Sequence, residues 1–374
     1  MLRSSNKLSQ YLFSALEMPS PVTPPSLKPG ATIAFISPSA RLNDRFPAAV
    51  SRATAVLSGQ GYQVRIFFTQ DSGTQSSITN RLTEIRAAFL DPTITAVICT
   101  IGGESFTQLL PALIADGELQ THIHTNPKIV VGASDMTGLH WFLHGLTGLR
   151  TFYGPSAIPE LGTADPIDDE ASPLAFCVRS LFGAITKSEP IGDIPRSPVY
   201  APQAPSFFRK RDSVDRQEVA PAARWEWLRR GKAQGRLFGG CLTVVVRLNG
   251  IHAIAPDWRG RIIFLETSAG ESRDLGLVQM GIADLIAQGV FEEAAGLVIG
   301  RPYGYDSQER RDEYTNAFKE LLCKGGLAAS KNQFPILFNV DIGHTTPMVT
   351  LPFDVLAELD SETDRFTILE AGVI

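Results

Sequence analysis

The chain has 374 residues, of which 44% are hydrophobic and 20% charged, and its formal net charge is −5 at pH 7. This length predicts two domains, because a single hydrophobic core seldom grows beyond about 250–300 residues. The acidic balance gives no electrostatic support for binding nucleic acid or an anionic membrane, and no apolar stretch approaches the length of a membrane-spanning helix.

The N-terminal tail and the cysteines bear on the cellular compartment. Residues 1–28 form a tail whose apolar residues are too interrupted for a secretory signal. A short helix is possible between residues 8 and 16, and the Pro- and Ser-rich part after Met18 is typical of an extended, mobile segment. The four cysteines form no CxxC pair, which is typical of free thiols in a reducing compartment. We therefore expect a cytoplasmic protein.

Residues 29–165 alternate between short apolar runs and amphipathic stretches. The apolar runs predict strands at 32–40, 63–67, 95–100, 128–133 and 151–154, the first of them ending in a Pro turn. The amphipathic stretches predict helices at 48–62, 78–92 and 104–115 and after Ser134. This alternation is typical of a parallel sheet with helices on both faces, as in a flavodoxin- or Rossmann-like domain. Ligands of such sheets bind at the carboxyl ends of the strands.

The rest of the chain divides into a crossing segment and a second α/β region. Residues 166–235 are rich in Pro, Ser and mixed charges, which predicts an irregular interdomain crossing with an insertion that is either functional or disordered. Residues 236–374 resume the alternation. The elements predicted there are strands at 261–266, 296–300, 336–340 and 348–352, helices at 274–289 and 308–323, and a strand or buried helix at 242–248.

The stretch KIVVGASDMTGLHW, residues 128–141, places Ser134 between a predicted strand and a predicted helix. Two roles fit this position. Ser and Asp are favoured at helix N-caps, so Ser134 and Asp135 can simply cap the helix. Alternatively, Gly132 allows a sharp turn that presents Ser134 as a nucleophile, with unpaired N–H groups nearby to hold an oxyanion. The stretch differs from G-x-S-x-G, because Met136 replaces the second Gly.

A glycine pair occupies another predicted strand-to-helix turn. Gly102 and Gly103, in TIGGESF, follow a buried strand. Such a turn can expose backbone N–H groups as a site for an anion, or it can need glycine only for its backbone dihedral angles. The stretch is neither GxGxxG nor a P-loop, so it gives little support for binding nucleotide phosphates.

The second α/β region offers a carboxylate and an imidazole at strand ends. Glu266 closes a predicted strand, with Glu271 as a rival, although either can be a solvated loop carboxylate. His344, in NVDIGHTTPM, can act as a general base or bond to the backbone. A serine nucleophile needs a base, and the base needs an orienting carboxylate. Ser134, Glu266 and His344 can meet this need if the two domains face each other.

The remaining histidines are weaker candidates. His140 and His144 have the i, i+4 spacing of zinc ligands on a helix, but no third ligand is evident. His122 and His124, in a polar stretch that predicts a loop, and His252 are interpreted as structural. We expect neither a metal nor a cofactor.

Six motifs connect these candidates to a known family. GASDMT, TIGGESF, GGCL, FLETS, GRPYG and DIGHTTPMVTLP occur in the order found in the LD-carboxypeptidase family of serine peptidases, which the chain resembles over residues 28–374. The resemblance implies an N-terminal parallel-sheet domain at 29–165 with the nucleophile and a β-rich α/β C-terminal domain at 236–374 with the acid and base. The active site would lie between them, and the protein would be a homodimer.

The resemblance also implies roles for individual residues. Ser134 would be the nucleophile, Glu266 the orienting acid and His344 the base of a Ser-Glu-His triad. The backbone N–H groups of Gly103 and Asp135 would form the oxyanion hole. At Ser134 the ordered motifs therefore favour the nucleophile over a simple cap, although one residue can fill both roles.

Details of the motifs resemble the microcin C immunity branch of the family. TIGGE stands in place of an Arg-Gly-Gly-Tyr-Gly type of turn, and GHTTP also fits that branch. The branch implies an amidase for aminoacyl-nucleotide amides, with aromatic side chains stacked on the base. Trp225 or Trp227 can do this or can pack within the crossing segment, and Arg301 is the candidate cation for a substrate carboxylate or phosphate. Cys241 departs from the family's frequent Asn, which puts a supporting hydrogen bond in doubt.

We therefore expect a serine peptidase or amidase acting on a small peptide or an aminoacyl-nucleotide-like substrate, with no nucleic-acid or membrane partner. Two alternatives remain open. An α/β-hydrolase-like esterase shares the Ser…Glu…His order but would need a true nucleophile elbow and one continuous sheet. A catalytically silent small-molecule binding protein would respond to ligands without turnover.

Overall fold

The computed structural model describes residues 19–324 and 332–374, so the helix predicted between residues 8 and 16 lies outside the described residues. In chain order the strands are β1 (Thr32–Ile36), β2 (Gln63–Ile66), β3 (Ile94–Cys99), β4 (Ile129–Gly132), β5 (Phe152–Tyr153), β6 (Gly192–Asp193), β7 (Val199–Tyr200), β8 (Ala220–Pro221), β9 (Glu226–Arg229), β10 (Lys232–Cys241), β11 (Arg261–Glu266), β12 (Gly296–Gly300), β13 (Ile336–Val340), β14 (Leu351–Pro352), β15 (Leu356–Asp360) and β16 (Arg365–Ile368).

The helices of these two segments fill the connections between the strands. They are α1 (Pro47–Gly59), α2 (Thr74–Leu90), α3 (Leu110–Ala115), α4 (Gly117–Thr125), α5 (Thr137–Thr147), α6 (Pro173–Ile185), α7 (Leu242–Leu248), α8 (Ala269–Ser272), α9 (Leu275–Ala287) and α10 (Gln308–Phe318). Among the helices described, none combines the length and the apolar character needed to cross a bilayer.

The first sheet has the strand order β14-β5-β4-β3-β1-β2. Its five strands from the N-terminal part of the chain pair in parallel, which confirms the predicted parallel sheet. β3 and β4 are almost completely buried, as expected for strands with helices on both faces. The edge strand β14 comes from the C-terminal part of the chain and pairs antiparallel with β5. The two halves of the chain are therefore joined through this sheet.

The second sheet has the strand order β6-β16-β15-β10-β11-β12-β13-β9. β10 to β13 pair in parallel, and antiparallel strands flank them on both sides. The chain thus has the predicted α/β class, with a parallel-sheet N-terminal part and a β-rich C-terminal part. Because the sheets are separate, the continuous sheet that an α/β-hydrolase-like esterase needs is missing from the described fold.

The prediction that residues 166–235 are irregular is wrong for much of their length. The segment contains α6, whose apolar residues pack into the core beside the first sheet. The Ser172 hydroxyl accepts a hydrogen bond from the Ala175 N–H, and Pro173 occupies the first turn, where its missing N–H costs nothing. β6 and β9 form the two edges of the second sheet. The Pro and Ser residues around this helix concealed it in the sequence.

The prediction of a mobile tail after Met18 is also wrong for the described part of that tail. Val22 forms a parallel bridge with Leu149, and Leu27 is 1% exposed with its N–H bonded to the Ile185 carbonyl, 2.8 Å away. These contacts fix the tail against the C-terminal ends of α5 and α6. Backbone pairing with the body of the protein orders a segment that has little local propensity of its own.

Three smaller differences concern helices and strand lengths. His122 and His124, predicted in a loop, lie on α4, which Asp116 caps by accepting a hydrogen bond from the Leu119 N–H. The ambiguous stretch 242–248 is a helix, α7. Of the strand predicted at 348–352, only β14 forms. Each difference arises in a short stretch, where local patterns distinguish helix, strand and loop least well.

Candidate active site

The turn between β4 and α5 holds Ser134 in a strained conformation. Its φ is +63°, a value that residues other than glycine rarely adopt. Ser134 is not a helix cap. The N-cap of the short 3₁₀ turn Ser134–Met136 is Ala133, and the N-cap of α5 is Met136. Instead, the Thr137 hydroxyl closes the turn by donating to the Ser134 carbonyl at 2.7 Å. The hydroxyl of Ser134 is therefore available for another partner.

That partner is His344. Its Nε2 lies 3.0 Å from the Ser134 Oγ, and its Nδ1 lies 2.8 Å from the Glu266 Oε2. Glu266 is the last residue of β11, and His344 lies in the loop after β13. The structure therefore brings all three predicted side chains into one hydrogen-bonded line at the carboxyl ends of strands from both sheets.

The charges along this line stabilise one another. Burial acts to raise the pKa of Glu266, but the charge and hydrogen bond of His344, together with the Tyr153 hydroxyl, outweigh it, and the pKa lies below its ordinary value. Burial acts to lower the pKa of His344, but the charge and hydrogen bond of Glu266 outweigh it, and the pKa lies above its ordinary value. An ionised carboxylate beside an imidazole of raised proton affinity suits general-base chemistry.

Tyr153 is a site residue that the sequence analysis missed. Its buried hydroxyl donates to the Glu266 Oε1 at 2.5 Å and accepts the Ser134 N–H at 2.8 Å. Burial and the neighbouring Glu266 charge raise the pKa of Tyr153 well above its usual value, so the phenol stays neutral. A signal was present, because Tyr153 ends the strand beside β4 in a parallel sheet, opposite Gly132.

The glycine pair packs directly against the Ser134 turn. A Cβ on Gly102 would lie 2.6 Å from the Ser134 Cβ, so glycine is needed there for close approach. Gly103 has a φ of +145°, and a Cβ there would lie 2.5 Å from the Ser39 Oγ. Within the described part of the chain, the N–H groups of Gly103 and Asp135 donate to no acceptor. Both are therefore free to bind a ligand oxygen.

The Asp135 carboxylate anchors this turn. It is buried and accepts hydrogen bonds from the Ser39 hydroxyl at 2.6 Å and from the Phe106 N–H at 2.9 Å. Its other oxygen lies 3.1 Å from Nη2 of Arg247, on α7. The side chain thus ties the Ser134 turn to the glycine turn and to the second half of the chain, leaving only the Asp135 N–H for a ligand.

Glu271, the rival carboxylate, has a different role. It completes a capping box at α8 with Ser268 and also accepts the Thr243 N–H at 2.8 Å. The Cys241 thiol donates to it at 3.3 Å. Burial, together with Glu266 and Glu271, raises the pKa of this thiol well above its usual value. Cys241 therefore supplies a weak neutral donor to the Glu271 carboxylate.

A cavity of about 440 Å³ opens in front of the Ser134 hydroxyl. We group the lining residues by chain segment and call the glycine pair, Glu104, Ser134, Glu160 and His344 the first wall. A second wall comes from the crossing segment, α8 and the loop after β12, and its lining residues are Ala204, Pro205, Phe208, Ser268, Ala269, Gly270, Arg273 and Tyr303. The crossing segment therefore shapes the site. Among the described lining residues, Arg273 is the only lysine or arginine.

The structure does not bring the predicted substrate-binding residues to this cavity. Arg301 is buried, pairs with Asp341 and does not line the cavity, so the prediction that it meets a substrate anion is not supported. Trp225 lies beneath the Arg196 guanidinium, 3.8 Å from it, and Trp227 donates its indole N–H to an aspartate on the surface. Both tryptophans therefore pack in the crossing segment, which was the alternative left open for them. The sequence could not distinguish these uses, because Arg and Trp suit ion pairs and stacking equally well inside a fold.

The histidines of α5 serve the fold. The ring nitrogens of His140 lie 3.0 Å from the Gly132 carbonyl oxygen and 2.8 Å from the Thr151 hydroxyl, and His144 faces Asp354 at 3.7 Å. Burial lowers the pKa of His140 to about 4, so it is neutral at physiological pH. Within residues 19–324 and 332–374, no group of three or more His, Cys, Asp or Glu side chains is placed to hold a metal ion.

A serine hydroxyl on a strained turn, bonded to an imidazole that a buried carboxylate holds, places the chain among the serine hydrolases. The family models for the N-terminal and C-terminal domains of LD-carboxypeptidase match residues 33–154 and 234–359. The chain belongs to the LD-carboxypeptidase family of serine peptidases.

Relatives agree with this assignment over nearly the full length. A Vibrio cholerae protein named as a carboxypeptidase is 27% identical, covering 93% of this chain and 98% of its own. The microcin C7 self-immunity protein MccF of Escherichia coli is 26% identical, covering 94% and 96%. The solved wild-type MccF structure has a TM-score of 0.79 at 25% identity, covering 95% and 100%, and an MccF variant in complex with adenosine monophosphate gives the same values. The two-domain fold is therefore that of MccF.

Proposed function

We propose that this chain is an LD-carboxypeptidase-type serine amidase in which Ser134 attacks a substrate amide carbonyl. The hydrogen-bonded line from Ser134 through His344 to Glu266 carries the proposal. His344 takes the Ser134 proton as the C–O bond forms, and Glu266 stabilises the imidazolium. The proton then passes from His344 to the leaving nitrogen as the C–N bond breaks. Water, deprotonated by His344, releases the acyl group and restores the Ser134 hydroxyl.

The oxyanion of the tetrahedral intermediate is assigned to the backbone N–H groups of Gly103 and Asp135. Their lack of an acceptor within the described chain supports this, as does their place in the Ser134 turn and in the glycine turn that packs against it. The Ser134 N–H is committed to the Tyr153 hydroxyl and does not take part. Donors fixed before the reaction stabilise developing charge without reorganising, which is usually a large contribution to catalysis.

The substrate we propose is a small peptide or an aminoacyl-nucleotide-like amide with an anionic group. Arg273 replaces Arg301 as the candidate cation, because it lines the cavity and makes no hydrogen bond or ion pair within the described residues. Phe208 and Tyr303 replace the tryptophans as candidate stacking groups for a base. The MccF relative and its complex with adenosine monophosphate support the nucleotide-like class, and the family itself supports the peptide class.

The decisive test is Ser134→Ala. Wild-type and variant proteins are incubated with an L,D-tetrapeptide and with an aminoacyl sulfamoyl adenylate, and the products are identified by mass spectrometry. We expect the variant to lose roughly 10⁴- to 10⁶-fold in kcat, as other serine hydrolases do when the nucleophile is removed. A fluorophosphonate probe should label Ser134 in the wild type alone. Unchanged turnover would remove Ser134 from the mechanism, and binding without turnover by the wild type would favour a silent binding protein.

Two further properties stay predictions. The homodimer implied by the family resemblance can be checked by analytical ultracentrifugation of the full chain. The cytoplasmic localisation expected from the free cysteines and the absence of a secretory signal can be checked by cell fractionation. The domain boundaries at residues 29–165 and 236–374 likewise stay predictions, which limited proteolysis can examine.

A further inference from the structure

A second carboxyl group lies in the wall of the cavity, and the mechanism above does not use it. Glu160 lies between β5 and α6 and is only 8% exposed. Its Oε2 accepts the Ser156 N–H at 2.7 Å, and its side chain lines the cavity together with Ser134 and His344. Within the described part of the chain, the backbone N–H of Glu160 itself is the other donor near this carboxyl group, and no ion pair reaches it.

Glu160 therefore lacks a counter-ion. The His344 imidazole is already bonded to Glu266, and Arg273 belongs to the second wall and pairs with no carboxylate. Burial raises the pKa of Glu160 to about 7, against the Ser156 N–H bond and the charge of His344, which act to lower it. A buried carboxylate without a partner is costly, and a cation that entered the cavity would remove that cost.

The hydrogen bonding of Glu160 also leaves one of its carboxyl oxygens available for a ligand. The Ser156 N–H fixes one carboxyl oxygen, which leaves the other to meet a group in the cavity. The remaining acidic residue of the lining, Glu104, is exposed. The lining thus contains two carboxyl groups and a histidine, and its one lysine or arginine among the described residues, Arg273, forms no ion pair with either carboxyl group. This composition favours a positively charged ligand group next to Ser134.

We propose that Glu160 binds an ammonium group on the acyl portion of the substrate. The proposal rests on the function assigned to Ser134 and narrows its substrate class to acyl residues with a free amine. An aminoacyl-nucleotide amide has such an amine on its α-carbon, and a peptide has one where the attacked carbonyl belongs to lysine or another diamino acid. The ammonium group fixes the acyl side while the anionic end of the substrate meets Arg273.

The test compares matched substrates that differ only in the amine. One pair is an aminoacyl sulfamoyl adenylate and its des-amino analogue; the other is an L,D-tetrapeptide with lysine or norleucine before the scissile bond. The wild type should prefer the amine by roughly 10- to 100-fold in kcat/KM, the range expected for a charge-assisted hydrogen bond. Equal turnover of the two members of a pair by the wild type would overturn the proposal.

Glu160→Gln tests the residue itself. The amide oxygen can still accept the Ser156 N–H, so the fold and the cavity volume are conserved. The variant should lose the preference for the amine, so that its kcat/KM for the amine substrate falls toward that for the des-amino substrate; the two are compared above the acidic limb, because the Glu160 charge also raises the pKa of His344. Glu104→Gln removes the same charge at an exposed position of the lining and should keep most of the preference. An equal loss by E160Q on both members of a pair would overturn the proposal.

Binding measurements separate this proposal from the proposed function. In the Ser134→Ala background, calorimetry with the same pairs reports the amine preference without turnover, and adding E160Q should abolish it. Retained activity of S134A would refute the assigned nucleophile alone if the preference at Glu160 persists. Conversely, loss of activity in S134A with no amine preference would support the nucleophile and refute the ammonium site. A wild type that neither binds nor hydrolyses either pair would overturn both.

Discussion

The two walls of the cavity differ in how firmly their side chains are held. On the first wall, Ser134 and His344 are held by Glu266 and Tyr153, which do not themselves line the cavity, through hydrogen bonds of 2.5–3.0 Å. On the second wall, Arg273 is exposed, and its nearest recorded partner is the ring of Tyr303 at 6.0 Å. Groups that react must be positioned before the substrate arrives, whereas groups that recognise a flexible end can order on binding.

This contrast predicts different kinetic effects. Substitutions in the first wall, or in the residues that hold it by hydrogen bonds, should lower kcat, because they disturb interactions that matter most in the transition state. Substitutions in the second wall should raise KM and leave kcat nearly unchanged, because they remove binding that ground state and transition state share. The predictions below are arranged from the largest expected effect to the smallest, and each one challenges or refines this division.

Among the substitutions Glu266→Gln, Tyr153→Phe and Arg273→Gln, the first should have the largest effect on kcat/KM. The amide cannot stabilise the imidazolium and presents an N–H group to donors, so we expect kcat to fall by roughly 10³- to 10⁴-fold. The pH profile should change too. In the wild type Glu266 holds the pKa of His344 above its ordinary value, and since the neutral imidazole is the base, kcat/KM should rise with pH through that raised pKa. Without the carboxylate, burial is opposed only by the charges of Glu160 and Glu271, and the acidic limb should move to lower pH.

A matched control for this variant is Glu271→Gln. Glu271 is also buried but bonds to the Ser268 and Thr243 N–H groups and to the Cys241 thiol, not to His344. Glu271→Gln should lower the melting temperature, while the acidic limb stays close to its wild-type pH. Glu160, whose pKa is about 7, titrates in the same range but is unchanged in both variants, so the shift between the two profiles reports on Glu266. An acidic limb at the same pH in E266Q and wild type would contradict the assigned role.

Tyr153→Phe should have an intermediate effect. It removes one hydroxyl that joins the Ser134 N–H to the Glu266 carboxylate, and it leaves the ring packed against Phe264 and Phe353. Two buried polar groups lose their partner, at a cost of about 1–3 kcal/mol each. We expect kcat to fall roughly 10-fold with KM within about twofold, measured by steady-state kinetics.

The control for the tyrosine is Tyr314→Phe. Tyr314 is equally buried, and its hydroxyl lies 3.0 Å from that of Thr267, but it does not contact Ser134 or Glu266. Y314F should destabilise the protein to thermal unfolding by a similar amount while kcat stays near that of the wild type. If both variants lowered kcat equally, Tyr153 would act through general stability and its bridging role would be refuted.

The first wall was largely predictable from the sequence, and the second was not. Ser134, Glu266 and His344 each follow an apolar run, and the carboxyl ends of parallel strands meet at one edge of a sheet, so strand prediction alone indicates that they can converge. Tyr153 obeys the same rule and lies in the strand predicted at 151–154, but it was missed because a tyrosine in an apolar strand is equally typical of core packing. The strained φ of Ser134 has no sequence signature at a residue other than glycine.

The second wall depends on long-range packing that local patterns do not encode. Arg301 follows β12, and Arg273 follows the short helix α8 after β11. Arg301 is buried against Asp341, whereas Arg273 lines the cavity. Phe208 reaches the site from a segment whose composition left open whether it is functional or disordered. The tertiary structure decides which of these side chains line the cavity. Local sequence patterns do not contain that information.

Arg273→Gln should have the smallest effect and should be confined to binding. An exposed cation that meets a substrate anion contributes little in water, so we expect KM to rise roughly 3- to 10-fold for an anionic substrate, with kcat within about twofold. This increase in KM should become smaller as the salt concentration is raised, because salt screens the interaction of an exposed charge. A substrate whose anionic end is amidated or removed should show no difference between variant and wild type.

Arg310→Gln is the matched control for that experiment. Arg310 also lies over a tyrosine ring, 4.9 Å from that of Tyr305, but it pairs with Glu313 on α10 and does not line the cavity. It should leave KM unchanged at every salt concentration. If R273Q instead lowered kcat and left KM alone, the second wall would take part in the reaction itself, and the division between a held wall and an adaptable wall would have to be abandoned.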